Sequence, residues 1–326
     1  MKNDVVFPEP GCHHLSPSED RKSSFKGRMR FHQSWYRRTV LGLDPGPNPN
    51  ARGALYGNML KAEDGWHGSN FLKPEIFRQA QERFPKAINI RKPNRLYQNL
   101  LGSQTMCFNL LGILESSNIA TQLMRLLPGF PQDASVTGIS FEHAPPRKYH
   151  LNDQTSFDAF ISYERSDGRK GFIGIETKLT EPFSQEQIDF DDRYAQWMNR
   201  ENGWWKPDVE GDFPNTSFNQ LWRNHLLAYA MLNQEVPEYS EGYCVVVHPR
   251  GDLGCGKAIE QYRDLLSPSG EETLLVWSLE TISEYWEGTL EGETYNSQWI
   301  DSFRTRYLLL GRSEEAWRKF RDSHDE

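Results

Sequence analysis

The 326-residue sequence holds only four cysteines, Cys12, Cys107, Cys244 and Cys255, and no two of them form a C-x-x-C pair. That spacing argues against a zinc module. Cys12-His13-His14 stands alone in a polar stretch, so reduced thiols are the expectation. The chain also lacks any run near the ~20 apolar residues of a membrane-spanning helix. Met1–Gly11 carries acids and prolines where a signal peptide has its apolar stretch. A cytoplasmic protein with no membrane partner is expected. Basic charge is short overall, with a net charge of -8. This argues against a protein that coats nucleic acid by bulk electrostatics. It leaves room for local phosphate contacts, because carboxylates that hold metal ions add negative charge without covering the whole surface.

Charged residues are 25% of the chain, as in a globular protein. Residues 1–33 show little apolar periodicity and are expected to form a disordered basic tail. Residues 34–326 then form a single domain with its core at about 100–250. Between Arg21 and Arg38 stand seven Lys or Arg residues and no acid, interleaved with Phe25, Phe31, Trp35 and Tyr36. Such a stretch can track a nucleic-acid backbone through Arg28, Arg30, Arg37 and Arg38, or can equally be a tail whose aromatics dock on the core. Helical spacing predicts a short helix over 73–84 and a longer one over 104–127, capped by Ser103. Strand-like runs follow at 136–142, 156–163 and 171–179. A helix over 218–232, a strand over 242–247, a helix over 257–266 and a strand near 274–279 complete the order.

The strongest local signal is the pair of strands TSFDAFISY and GFIGIETKL. With Ser166-Asp167-Gly168 as a three-residue loop, Gly168 takes the left-handed position such loops favour. Ala159 then faces Ile175, Ile161 faces Ile173 and Asp158 faces Glu176. A two-residue turn would set Ala159 against Glu176, sending side chains to the wrong face, so the first register is expected. Opposed Cβ atoms lie roughly 4.5–5.5 Å apart, which lets Asp158 and Glu176 share a divalent ion. Lys178, two residues on, points to the same face. Adjacent like charges destabilise a sheet, and a bound cation reverses that sign. Mg²⁺ suits a few carboxylates completed by water and phosphate oxygens. Without one, the same residues read as a surface hairpin with a charged wet side.

The pattern D-(x17)-E-T-K, a carboxylate on one strand and E-x-K on the next, resembles the signature of PD-(D/E)xK nucleases. The predicted element order resembles their α/β, restriction-endonuclease-like core: a helix, a three-stranded antiparallel meander, a second helix and a strand. Ser103-Gln104-Thr105-Met106-Cys107-Phe108-Asn109 is similar to the start of the first helix in a bacterial group of PD-(D/E)xK nuclease-like proteins. Together the resemblance covers about residues 100–250.

The resemblance implies a Mg²⁺-dependent nuclease, with Mn²⁺ able to substitute and with DNA as the expected substrate. Asp158, Glu176 and the Thr177 backbone carbonyl would ligate the ion. Lys178 would orient or help deprotonate the attacking water. Phe157 stands where the motif's proline belongs. Gln104 and Glu142 are candidates for an additional acidic or polar position. Some relatives carry Q-x-x-x-Y on the second helix; here Gln220 is followed at that spacing by Asn224. Gln220, Arg223 and Asn224 either touch phosphate or form an ordinary polar helix face. The alternative function is a catalytically inactive nucleic-acid-binding protein on the same fold. A G-x-x-x-x-G-K match at Gly251–Lys257 suggests a phosphate-binding loop, but Ala258 replaces the Ser or Thr that holds Mg²⁺. A glycine-rich turn entering a helix is the better account.

Overall fold

The computed structural model of the chain describes residues 24–49, 54–83, 93–115, 119–147, 150–184, 189–198, 203–213, 216–290 and 294–322. They fall into two compact units, one drawn from Met1–Phe84, Ile90–Leu110 and Leu290–Glu326, the other from Pro85–Asn89 and Leu111–Thr289. Residues 1–23, including Cys12-His13-His14, lie outside the described residues.

In the first unit, Phe25–Trp35 is a helix, not part of a loose tail. Ser24 caps it by accepting from the Gly27 N–H at 3.1 Å. Its buried side is fixed by groups nearly 300 residues away. Phe31 meets Trp317 edge-on at 5.1 Å. The two ring nitrogens of His32 meet Ser313 Oγ at 2.8 Å and the Thr305 carbonyl at 2.9 Å. Long-range partners of this kind leave no local periodicity to read.

The second unit is mixed α/β. Its strands are β1 (Ser135–His143), β2 (Phe157–Glu164), β3 (Lys170–Thr177), β4 (Glu241–His248) and β5 (Leu274–Ser278), in that order across one sheet. β1 pairs antiparallel with β2, and β2 with β3, whereas β3–β4 and β4–β5 are parallel. The β2–β3 register sets Ala159 against Ile175 and Ile161 against Ile173, as apolar matching predicts. Gly168 supplies the positive φ of +86° in the loop, which closes with the Arg165 N–H on the Arg169 carbonyl at 2.8 Å.

Two helices cover the β3–β4 region. Helix α1 (Asn219–Leu232) lies against both strands. Helix α2 (Leu253–Arg263) follows β4. It starts four residues before the predicted Lys257, because the Asp252 carboxylate accepts from the Cys255 N–H at 3.1 Å and caps it. Gly254 and Gly256 therefore lie inside a helix, which removes the open loop that phosphate cradling requires. Phe160, Phe172, Leu221, Trp222, Leu226, Val246 and Tyr262 share one buried core between sheet and helices. The long helix expected over 104–127 is described as Ser103–Glu115 and Ala120–Arg125. No described helix is long and apolar enough to cross a membrane.

Candidate active site

β3 runs through the middle of the sheet, so its apolar residues are buried on both faces, and the charges at its end are buried with them. Glu176 is 2% exposed and Lys178 6%. Burial of this depth requires partners for each charge. Glu176 Oε1 lies 2.7 Å from Lys178 Nζ and accepts from Gln220 Nε2 at 2.7 Å. Glu176 Oε2 accepts from Asn224 Nδ2 at 2.7 Å. Lys178 Nζ also donates to Gln220 Oε1 at 2.9 Å and lies 5.0 Å from the centre of the Phe183 ring. Gln220 and Asn224 meet the same carboxylate because residues four apart share a helix face.

Asp158 stands on the neighbouring strand. Its Oδ2 accepts from the Thr177 N–H and from Thr177 Oγ1, both at 2.8 Å. Glu142 completes a row of acids across three strands. Phe141 pairs with Ala159 and His143 with Phe157, which sets Glu142 opposite Asp158. Glu142 is buried and has φ +50°, an uncommon conformation for a residue with a side chain. Strain of this kind costs about 1–3 kcal/mol and clusters at functional sites.

The electrostatics follow from this crowding. Burial first, then the charges of Glu176 and Glu142, raise the Asp158 carboxyl well above the usual carboxylate range. Lys178 and the Thr177 N–H oppose the shift. Burial works against the Lys178 ammonium, but Glu176 and Asp158 outweigh it and hold its pKa above the ordinary lysine value. Asp158 thus feels two other acids, while Lys178 balances Glu176 and Asp158.

That imbalance, and a donor set made of hard oxygens, fit a divalent cation in kind. Among the described residues no group of three or more His, Cys, Asp or Glu side chains is placed to hold a metal ion. An ion here would draw on two carboxylates, the main chain and water.

The structure brings Asp158, Glu176, Thr177, Lys178, Glu142, Gln220 and Asn224 together. Asn224 is buried and bonded to Glu176, so it supports the carboxylate and is no surface contact for nucleic acid. Arg223 Nη1 donates to Thr155 Oγ1 at 3.3 Å and lies 3.9 Å from Asp153 Oδ2. Gln104 belongs to the other unit.

Of the N-terminal arginines, Arg37 is fully buried and donates to the Gly57 and Leu43 carbonyls, so it cannot reach a nucleic acid. Arg28 is held by Ser313 and Glu314. Arg38 stays partly exposed near Asp44, and Arg30 is partly buried. Sequence reasoning missed Phe183, Ser184 and the Thr177 hydroxyl, which irregular connections and an unremarkable residue type concealed. The Ser184 N–H donates to Gln220 Oε1 at 2.9 Å.

No curated protein and no solved structure matches this chain. A family model described as the PD-(D/E)XK nuclease superfamily matches residues 18–309, a span that includes Glu142, Asp158, Glu176 and Lys178. With most of its length matched, the chain belongs to the PD-(D/E)XK nuclease superfamily.

Proposed function

We propose that the chain is a Mg²⁺-dependent nuclease that hydrolyses phosphodiester bonds of nucleic acid, DNA first among the candidates, on a restriction-endonuclease-like core. Mn²⁺ is expected to substitute. The observation that carries this reading is the row Glu142, Asp158 and Glu176 on three adjacent strands, with Glu142 and Glu176 buried and Lys178 as the counter-charge 2.7 Å from Glu176. Neighbouring acids repel one another on a sheet, and a cation held between Asp158 and Glu176 would reverse that sign.

Asp158, Glu176 and the Thr177 carbonyl would hold the ion, with Glu142 as a further acid near it. When bound, the ion supplies Lewis acidity and a lower pKa for the attacking water. The protein's own groups do the rest. Gln220 and Asn224 keep the Glu176 carboxylate in one orientation. Lys178 presents a fixed ammonium to the phosphate, where charge builds in the transition state. Arg223, partly exposed on the same helix, is a phosphate contact in this reading. Arg30 and Arg38 are the N-terminal candidates that remain.

One observation favours a second reading, an inactive binding protein on the same fold. Both Glu176 oxygens are already satisfied by Lys178, Gln220 and Asn224 without any ion. Calorimetric titration with Mg²⁺ separates the two. The wild type should bind, and the Asp158→Ala, Glu176→Ala double variant should not. Equal heats from both proteins would end the nuclease reading.

A further inference from the structure

Hydrolysis at this site needs an acceptor for the proton of the attacking water, and Lys178, both Glu176 oxygens and one oxygen of Asp158 are already engaged. Lys178 Nζ donates to Gln220 and lies against Glu176. Both Glu176 oxygens accept from neighbours. Asp158 Oδ2 accepts from the Thr177 N–H and hydroxyl.

The next strand supplies a group of the right kind. Thr177 pairs with Val247 in the parallel β3–β4 ladder, and the Lys178 N–H donates to the Val247 carbonyl at 2.8 Å. The following position on β4 is His248, beside Lys178. Paired residues of parallel strands point to the same face, so His248 shares the face of Glu176 and Lys178. It is 8% exposed.

His248 differs from the histidines that serve packing. His32 and His225 each engage both ring nitrogens with other elements. For His248 the contact is Nδ1 with the Pro249 carbonyl, its chain neighbour, at 2.9 Å. A carbonyl only accepts, so Nδ1 carries the hydrogen and Nε2 keeps its lone pair. Asp252, the cap of α2, feels the charge of His248, and Glu181 acts on both Asp252 and Lys178.

We infer that His248 Nε2 is the proton acceptor for the attacking water, which makes His248 a further catalytic residue on β4. The inference rests on the nuclease reading of the site. As the oxygen of water bonds to phosphorus, one of its protons passes to Nε2. The bond from phosphorus to the leaving oxygen breaks with its electron pair, and that oxygen takes a proton from solvent. The imidazolium then returns its proton to solvent.

The test compares wild type, Asp158→Ala, His248→Ala and His248→Gln for Mg²⁺-dependent cleavage of mixed DNA and RNA. Melting curves accompany each protein, and His248→Ala is repeated with added imidazole. Both His248 variants should melt near wild type and lose about 10²–10⁴-fold in kcat with KM little changed. Imidazole should restore part of the His248→Ala activity, a response that a packing role would not give. Wild-type cleavage by folded His248→Gln, or a loss that imidazole leaves untouched, overturns the assignment. If only wild type and the His248 variants cleave alike while Asp158→Ala is dead, the nuclease reading stands and His248 falls. If folded wild type cleaves nothing, both fall.

Discussion

Replacing Lys178 by Met keeps the length of the side chain and removes its charge, so the lost term is electrostatic. In the metal-free protein Lys178 is the cation beside Glu176, at 2.7 Å, with Asp158 and Glu142 acting on the same cluster. Both partners of the pair are more than nine-tenths buried. Removing one member of such a pair costs about 3–5 kcal/mol, because the other charge is left uncompensated. A solvated pair would cost only about 0–1 kcal/mol.

Mg²⁺ should return part of this loss, since a divalent cation replaces the missing charge. A ligand that binds only the folded state at a hundred times its Kd adds about 2.7 kcal/mol. The ion should therefore stabilise Lys178→Met more than wild type. Urea denaturation of both proteins, with and without Mg²⁺, reads the four values directly. A loss below about 1 kcal/mol would refute the buried pair. A loss that Mg²⁺ leaves unchanged would refute the cation site.

Other outcomes follow from the same geometry. Asp158→Asn keeps a side-chain oxygen for Thr177 and removes a charge that burial and two acids disfavour. Its melting temperature in metal-free buffer should rise, while cleavage is lost. Asn224→Ala deprives Glu176 Oε2 of its amide donor and should cost about 1–3 kcal/mol in denaturant titrations. Burial lowers the pKa of His225 to about 3 and of His32 to about 4. The unfolded chain then binds the extra protons first. Their contribution is complete above about pH 6.5 and falls by about 1.4 kcal/mol per group per pH unit down to those values. Stability measured at pH 7 and pH 4.5 should show the drop, and equal values would contradict neutral buried rings.

The strand pair at the centre of the site was legible because two alternating strands and one loop glycine leave a single register that buries every apolar residue. Ala159 opposite Ile175 is fixed by that constraint alone. Glu142 and Gln220 were visible only as candidates, since their proximity depends on a third strand and a helix far along the chain. The Asn224 role was misread because a buried amide and a phosphate-binding amide look alike in sequence. Helix Phe25–Trp35 was hidden for a related reason. Its first turn has no acid, and its stabilising partners, Thr305, Ser313 and Trp317, come from the other end of the chain. Arg37 looked like a surface cation until its carbonyl partners were seen.

The central claim is that the acids around Lys178 form a metal-dependent hydrolytic centre. Cleavage of mixed single- and double-stranded DNA by wild type and by Glu176→Gln, each with Mg²⁺ and with chelator, tests it most directly. Glu176→Gln preserves size and removes only the charge. Wild type should cleave with Mg²⁺ and stop on chelation, and Glu176→Gln should be inactive while still folded. Cleavage that persists in chelator or in folded Glu176→Gln would contradict the claim.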